Sequence, residues 1–265
     1  MNKVEDFYDQ SADQEWNRLK RHRTELAVTM KALLNHLPEV PADLIDIGSG
    51  PGRYSVELAK DGYRITLVDL SEVSLNLAKE KAAEASVKFQ DVLQQDATDL
   101  SGVSDNSFDG VLLFGPLYHL LDEDQRRQSI FEAKRILKHG GVIFATFITR
   151  FAPFRDSASR QPDWVVNDND YAHAVLKSGK HTEGKDFPNA YFAHPDEIQP
   201  LMEGCGFTTI SVLGVEGIVA GHEEEINKLH GADWDKWVDL NYELGLEPSL
   251  YGASDHILFI GRKSS

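Results

Sequence analysis

The sequence is poor in cysteine, in positive charge and in long apolar stretches. Its single cysteine, Cys205, excludes an intramolecular disulfide and a cysteine-rich metal site. Lysine and arginine number 27 against 43 aspartates and glutamates, a formal net charge of −16. Such a surface repels phosphate backbones, so nucleic acid is not expected as a partner. Without an apolar run of about 18 residues or the apolar segment of a signal peptide, the sequence predicts a cytoplasmic protein that makes no use of the membrane.

What is present suits an α/β protein. The chain has 265 residues, 41% of them hydrophobic, which is enough for one large domain or two small ones. Short apolar runs alternate with amphipathic stretches, and this alternation predicts a doubly wound, mostly parallel sheet with helices on both faces. The predicted strands are 43–48, 64–70, 92–96, 111–114 and 142–149, and the predicted helices between them include 53–61 and 72–84.

The stretch from Asp46 to Gly52, Asp-Ile-Gly-Ser-Gly-Pro-Gly, joins the first strand to the first helix. Closely spaced glycines at such a junction form a tight turn whose backbone amides can face a ligand. Asp69 ends the second apolar run. A carboxylate at that position of a βαβ unit can accept hydrogen bonds from both hydroxyls of a ribose. Together these features predict an adenosine-containing cofactor.

The spacing of the glycines separates two cofactor classes. A dinucleotide-binding loop would need a third glycine at position 53, which is Arg53. Instead the third glycine is Gly52, and Asp46 stands two residues before Gly48. This Asp-x-Gly-x-Gly-x-Gly pattern resembles motif I of the class I S-adenosylmethionine (SAM)-dependent methyltransferases. The resemblance implies that the turn lies close to the methionine part of SAM and holds no pyrophosphate.

The order of motifs resembles this family over residues 40–149 and 194–263. The family's sheet has seven strands, the last of them antiparallel, and residues 207–215 and 256–261 are expected to form the final hairpin. The resemblance implies the following cofactor contacts: Gly48, Gly50 and Gly52 at the methionine moiety, Asp69 at the ribose, Asp96 and Ala97 at the adenine, and Tyr8, Arg18 and Tyr118 at the amino-acid end. Asp46, Ser49, Leu70, Phe114 and Gly115 complete the predicted set.

The loop Gly-Pro-Leu-Tyr-His-Leu, residues 115–120, bears on the acceptor. It resembles the loop after strand four in the small-molecule branch related to the quinone and sterol methyltransferases. It does not resemble the Asn/Asp-Pro-Pro-Tyr/Phe loop of enzymes that methylate nucleic-acid amino groups. The resemblance therefore implies methyl transfer to an oxygen, nitrogen, sulfur or carbon atom of a small molecule. That loop borders the transferred methyl in the family, so His119 is the predicted catalytic base.

Other groups near the strand ends are weaker candidates for a base: Glu216, Asp168 and His194, the last of which is better explained as the cap of a helix starting at Pro195. The histidines have no recognisable metal spacing, so no metal is predicted. The sequence does not identify the acceptor or the oligomeric state. Two alternatives stay open: a non-catalytic protein that binds SAM or S-adenosylhomocysteine (SAH), and an NAD(P)-dependent oxidoreductase, which Arg53 disfavours.

Residues outside the resemblance are expected to cover the cavity. Residues 1–38 are predicted to form a lid whose helix runs from Glu15 to Leu37. The basic cluster in its first turns is either a solvated face or a set of cations that meet a carboxylate of the cofactor or substrate. Residues 39–265 then form the methyltransferase domain. Two aromatic-rich insertions within it, 150–193 and 217–250, are expected to roof the substrate pocket and to suit a bulky, partly aromatic acceptor.

Overall fold

Two helices, α1 (Lys3–Arg21) and α2 (Arg23–His36), precede the sheet in a computed structural model that describes residues 3–182 and 187–264. The sequence predicted a single helix that begins at Glu15. The chain instead breaks at His22, whose ψ of 62° is not helical. Helical backbone hydrogen bonds continue on both sides of His22, to Arg18 and from Leu26, and Arg18 forms a two-pronged ion pair with Glu25 across the interruption.

The first half of the domain alternates strands and helices as predicted. Its elements are β1 (Asp43–Ile47), α3 (Arg53–Lys60), β2 (Arg64–Asp69), α4 (Glu72–Glu84), β3 (Asp91–Gln94), β4 (Phe108–Leu113), α5 (Pro116–His119), α6 (Glu123–Ile136) and β5 (Leu137–Ile148). Two of the helix starts are capped by their own sequence: the Ser71 side chain accepts from the Ser74 amide, and the Asp122 side chain accepts from the Asp124 amide. The one-turn helix α5 lies in the loop that follows β4 and was not predicted.

The second half contains more helix than its irregular sequence indicated. Its elements are α7 (Ala152–Arg160), α8 (Asp163–Asn167), α9 (Asn169–Ser178), β6 (Lys180–His181), β7 (Ala190–Tyr191), α10 (Pro195–Gly204), β8 (Phe207–Gly214), α11 (Glu223–Ile226), α12 (Gly231–Gly245) and β9 (His256–Lys263), with short 3-10 turns at Gly217–Val219 and Pro248–Ala253. Both insertions therefore fold largely as helices. Four of them have ten residues or fewer, which is too short for periodicity to reveal them, whereas α12 has 15 residues and was missed despite its length.

Within the described residues, seven strands form one sheet in the order β3-β2-β1-β4-β5-β9-β8. The neighbours among β1 to β5 are parallel, and β9 is antiparallel to both β5 and β8. The predicted doubly wound α/β sheet with an antiparallel last strand is confirmed. Because β1, β2 and β4 are parallel neighbours, their carboxyl ends meet at the same edge.

The sheet is buried on both faces by two separate apolar cores. Ile45 and Ile47 of β1 point into one core, and Leu44 points into the other. Removing each such side chain from water contributes about 2 kcal/mol, so the near-continuous apolar runs of these strands are what fixes the layered fold. Cys205 lies buried in the first core, which accounts for it as a packing residue.

The N-terminal helices are fastened to the second insertion rather than left loose. Arg23 of α2 lies 4.0 Å over the Trp234 ring of α12, and Lys31 forms an ion pair with Asp239. No helix within residues 3–182 and 187–264 combines the length and the apolarity needed to cross a bilayer.

Candidate functional site

A cavity of about 510 Å³ lies at the carboxyl ends of β1, β2 and β4. Its wall includes every residue predicted to contact the cofactor except Gly52: Tyr8, Arg18, Asp46, Gly48, Ser49, Gly50, Asp69, Leu70, Asp96, Ala97, Phe114, Gly115 and Tyr118, together with His119. Gly52 instead packs beneath the turn, where its Cα faces Ala78 and Phe89. The fold therefore assembles at one edge a set of residues that are up to 111 positions apart in the chain.

The glycine turn needs its glycines for two different reasons. Gly48 and Gly50 have φ of 77° and 51°, the left-handed region that favours glycine. A Cβ on Gly48 would lie 2.5 Å from the carbonyl oxygen of Phe114, so the β1 and β4 ends could not come together around it. A Cβ on Gly50 would meet no atom within 4 Å. Gly50 thus presents bare backbone to the cavity, as the methionine end of SAM requires.

Asp69 closes the turn from the end of β2. Its Oδ2 accepts a hydrogen bond from the Gly50 amide at 2.7 Å, and its Oδ1 accepts from the Ser71 amide at 2.9 Å. Burial raises the pKa of this carboxyl group, although the amides oppose the rise. Each oxygen keeps a lone pair, because a carboxylate oxygen can accept more than one hydrogen bond. Asp69 can therefore receive the two hydroxyls of a ribose without moving.

Asp46 carries a buried oxygen that its protein neighbours leave unsatisfied. Its Oδ2 accepts from the Ser55 hydroxyl at 2.7 Å, whereas Oδ1 has no hydrogen-bond partner among the described residues. Burial raises the pKa of Asp46 to about 7. A buried carboxylate without a partner is costly, and this one lines the cavity. A ligand that donates a hydrogen bond there would remove the cost, so the site fits a cofactor with an ammonium group.

The far side of the cofactor end is formed by the loop after β3. Asp96 uses Oδ1 to accept from the amide and hydroxyl of Thr98, which fixes the loop that carries Ala97. Gln95 also lines the cavity, and its Oε1 is buried without a partner in the part of the chain that the structure describes. Sequence reasoning missed Gln95. Its position directly before the predicted Asp96 and Ala97 pair is the signal that could have found it.

His119 lies in α5 between the two ends of the cavity. Its Nδ1 is 3.2 Å from the carbonyl oxygen of Asn189, and its Nε2 is 2.7 Å from the Tyr8 hydroxyl. A carbonyl oxygen only accepts, so Nδ1 carries the proton and Nε2 accepts from Tyr8. Burial lowers the pKa of His119 to about 4. The imidazole is therefore neutral at pH 7, with the lone pair of Nε2 covered by the tyrosine.

The cover over this cavity comes from the N-terminal helices. Residues of α1 and α2 on the wall are Lys3, Val4, Glu5, Tyr8, Glu15, Arg18, Leu19, Glu25 and Thr29. Of the described parts of the two predicted insertions, only Asn189 reaches the wall, while residues 183–186 lie outside the described residues. Helix α1 thus covers the cavity where an aromatic roof was predicted. From the first insertion, Phe187 packs against His119 and against Phe7 of α1.

Arg18 reaches the cavity but is already paired. Its guanidinium donates to both oxygens of Glu25, at 2.5 and 2.7 Å, and to Glu15 at 2.8 Å. Arg18 is therefore not on a solvated helix face. The carboxylate that it meets belongs to Glu25 of the protein itself. Tyr54 also lines the cavity, and its hydroxyl approaches Glu25.

A second buried ion pair lies beside the first. His256 at the start of β9 uses Nδ1 to contact Oε1 of Glu216 at 2.5 Å, and Glu216 also accepts from the His256 amide and from Ser254. Burial alone would raise the pKa of Glu216, but the imidazolium lowers it to about 2. Conversely, burial alone would lower the pKa of His256, but Glu216 and Glu25 raise it to about 9. His256 is therefore a cation at pH 7.

The three weaker candidates for a catalytic base, Glu216, Asp168 and His194, lie in different surroundings. Glu216 is too acidic and too fully bonded to accept a proton, so that prediction is wrong. Asp168 lies on the surface at the start of α9, away from the cavity wall. His194 caps α10 by accepting from the Asp196 amide, as predicted. Sequence reasoning missed His256, because a histidine that opens an apolar strand gives no chemical signal of its own.

Donor atoms of Glu25, Glu216 and His256 lie within 4.8 Å of one another, a spacing that a metal ion could span. Their charges are already compensated, since Arg18 faces Glu25 and His256 faces Glu216. That this protein uses no metal ion stays a prediction.

A doubly wound sheet with a glycine turn and a buried carboxylate at its carboxyl edge is typical of proteins that bind a nucleoside cofactor, and comparison with known proteins identifies the family. A family model for a methyltransferase domain matches residues 45–145. A putative methyltransferase of Geobacillus sp. (strain WCH70) is 40% identical over 101 residues, covering 38% of this chain and 40% of the relative. A ubiquinone biosynthesis O-methyltransferase of Mesorhizobium japonicum is 28% identical over 174 residues, covering 65% and 62%. The matches thus span less than two thirds of these two relatives.

Two further comparisons cover more of the protein to which this chain is compared. The putative methyltransferase YqeM of Bacillus subtilis (strain 168) is 31% identical over 196 residues, covering 64% of this chain and 75% of the relative. A Thermotoga maritima SAM-dependent methyltransferase, described as a possible histamine N-methyltransferase, has a TM-score of 0.61 at 20% identity and covers 98% of this chain and 100% of that one, a likeness of fold. The chain belongs to the class I SAM-dependent methyltransferases, and its cofactor is SAM. This membership sets aside the NAD(P)-dependent alternative.

Proposed function

We propose that the protein transfers the methyl group of SAM to a small-molecule acceptor by in-line displacement. The observation that carries the proposal is the continuity of one cavity. The glycine turn, Asp69 and Asp96 line the same cavity as Tyr118, His256 and Arg18. In this proposal the cofactor lies beside the first group and the acceptor beside His256, with Tyr118 and Arg18 where the amino-acid end of the cofactor and the acceptor would meet.

The cofactor end suits SAM residue by residue. The bare backbone of Gly48–Gly50 would lie along the methionine moiety, and the unpartnered oxygen of Asp46 would meet its ammonium group. Asp69 would hold the ribose, and Leu70, Gln95, Asp96 and Ala97 would surround the adenine. The bound cofactor supplies a methyl group on a positively charged sulfur, which is already a strong electrophile.

The task left to the chain is to position the acceptor and exclude water. Helix α1 serves this purpose, because it lies across the cavity and is tied to the β2 end by a hydrogen bond of 2.6 Å between Ser71 Oγ and Asp9. Phe114 and Gly115, which follow β4, also line the cavity. The lid must open for the cofactor to enter, since residues of α1 line the same cavity.

His119 is the residue that we propose for proton removal, where the acceptor is protonated. Its Nε2 is the unprotonated nitrogen and faces the Tyr8 hydroxyl. A proton from the acceptor would reach Nε2 either after Tyr8 turns away or through the Tyr8 hydroxyl, which passes on its own proton as it receives one. The low pKa keeps His119 in the unprotonated form that a base requires.

Calorimetric titration with SAH, with NAD as the control ligand, tests the cofactor assignment. Micromolar binding of SAH without binding of NAD is the expected result, and binding of NAD alone would overturn the proposal. Transfer of a labelled methyl group from SAM into a metabolite extract then tests turnover.

A non-catalytic SAM- or SAH-binding protein is the second candidate. The covered lone pair of His119 and the mutual pairing of Arg18 with Glu25 favour it, because neither group is free to act in this state. Binding of SAH with no labelled product from any extract would support this candidate. The cytoplasmic location and the exclusion of nucleic acid as substrate rest on charge and composition and belong to the same proposal.

A further inference from the structure

One part of the cavity wall presents two hydrogen-bond donors that the described residues do not satisfy, one on Tyr118 and one on His256, beside the already paired Arg18. We call this part of the wall the donor recess and define it by these three residues. Its chemistry bears on the class of acceptor, and the inference rests on the function proposed above.

His256 supplies the central donor. Its Nδ1 is held by Glu216, whereas Nε2 has no hydrogen-bond partner within residues 3–182 and 187–264. The side chain keeps 17% of its surface accessible, and the residue lines the cavity, so this accessible edge faces the space where an acceptor would lie. The two-point anchoring by Glu216 fixes the ring orientation.

Tyr118 supplies a second donor next to it. Its hydroxyl makes no hydrogen bond to any residue that the structure describes, and its ring centroid lies 6.4 Å from that of His256. Tyr118 lies in α5, in the loop after β4, and its hydroxyl lies beside Gly115. Because both rings line the same cavity, one ligand can accept hydrogen bonds from both unsatisfied donors.

The acceptor groups of the recess are, in contrast, already used. Both oxygens of Glu25 are bound by Arg18, and both oxygens of Glu216 are bound by His256 and Ser254. A cationic amine would have to displace Arg18 or His256 from its carboxylate. An anionic oxygen would only add bonds to donors that lack them. The recess therefore favours an anionic oxygen over a cationic amine because it offers unsatisfied hydrogen-bond donors, and not because of its net charge.

We propose that the donor recess binds an oxyanion of the acceptor, a carboxylate or a phenolate, through Nε2–H of His256 and the hydroxyl of Tyr118. The protonation of His256 supports this role, because Glu216 and Glu25 hold the imidazolium form to about pH 9. Arg18 opposes that effect, and Asp255, the residue before His256, is paired with Arg155. Tyr118 remains neutral, since burial raises its pKa further above the usual range.

The test is calorimetric titration of the SAH-loaded protein with benzoate and with benzamide, which has nearly the same shape but no charge. We expect benzoate to bind at least about tenfold more tightly, as one hydrogen bond to a charged group implies. His256→Gln should remove this preference without changing SAH affinity. The exposed-histidine variant His139→Gln should keep it. Raising the pH through about 9 should weaken benzoate binding to the unsubstituted protein.

Equal affinities for benzoate and benzamide, or a preference that survives in His256→Gln, would overturn the proposal. If His256→Gln does not fold, Tyr118→Phe provides the second variant, with a several-fold loss of benzoate affinity expected at unchanged thermal stability. Failure of the proposed function would be seen separately, as absence of SAH binding in the unsubstituted protein. SAH binding without any benzoate binding would reject the oxyanion recess alone.

Discussion

The hydroxyl of Tyr8 lies 2.7 Å from Nε2 of His119 and joins the first helix of the chain to the loop after β4. The two residues are 111 positions apart, and the contact lies on the cavity wall. One hydrogen bond thus both holds the lid in place and covers the proposed base. The lid position and the availability of His119 are coupled by this geometry.

Tyr8→Phe should loosen the lid without removing its packing. The ring still packs edge-on against Phe7 and His119, so we expect a loss of only about 1 kcal/mol in the free energy of unfolding. SAH should dissociate several-fold faster, as measured by stopped-flow fluorescence. Tyr63→Phe is the matched control, because its hydroxyl also makes one hydrogen bond, to Pro38, away from the cavity. Equal SAH dissociation rates in both variants would show that the Tyr8 hydroxyl does not hold the lid closed.

Substitutions at Gly48 and Gly50 should differ in what they change: stability at Gly48 and SAH binding at Gly50. Both Gly48→Ala and Gly50→Ala bear the cost of a positive φ, roughly 1 kcal/mol. Gly48→Ala should lose about 2 kcal/mol more, because its Cβ would clash with Phe114 and Pro116. Gly50→Leu should instead abolish SAH binding in a folded protein, since its side chain would enter the cavity. Urea unfolding and SAH titration measure the two effects, and retained SAH binding by Gly50→Leu would reject the placement of the turn.

His119→Gln should lower turnover by at least about a hundredfold while SAH affinity stays within a few-fold. The rate of the unsubstituted enzyme should show no titration of His119 between pH 5 and 8, because its pKa is lowered to about 4. His194→Gln, at the cap of α10, serves as the control. Unchanged turnover in His119→Gln, once an acceptor is known, would remove His119 as the base.

The stability of the protein should depend on pH through His256. Its pKa is raised to about 9 in the folded state from an ordinary value near 6.5, so its stabilising contribution is complete below pH 6.5 and is lost as the pH rises through 9. The difference in unfolding free energy between the unsubstituted protein and His256→Gln should therefore shrink by about 3 kcal/mol over that range. Urea unfolding at pH 6, 7.5 and 9 measures this difference, with substitution of the exposed His139 by glutamine as the matched control. A constant difference would mean that His256 is not charged in the folded state.

Local pattern predicted the sheet well, and it named residues that the fold brings to one cavity. The strand and helix bounds around Asp46–Gly52 and Asp69 were close to the observed ones because a glycine turn, a cap and an apolar run each act within a few residues. The first helix was placed twelve residues too late. The helix is also interrupted at His22, where Arg18 pairs with Glu25 across the interruption, and such a side-chain contact leaves no periodic trace in the sequence.

The sequence by itself determined the class of fold and the cofactor, and it named residues that line one cavity, because these follow from short-range chemistry at the ends of consecutive strands. Only the tertiary structure decided what covers the cavity and what lines its acceptor end. Arg18, Glu25, Glu216 and His256 come from the first helices, the loop after β8 and the last strand. Their partnership depends on long-range packing, which places a helix from one end of the chain against a strand from the other.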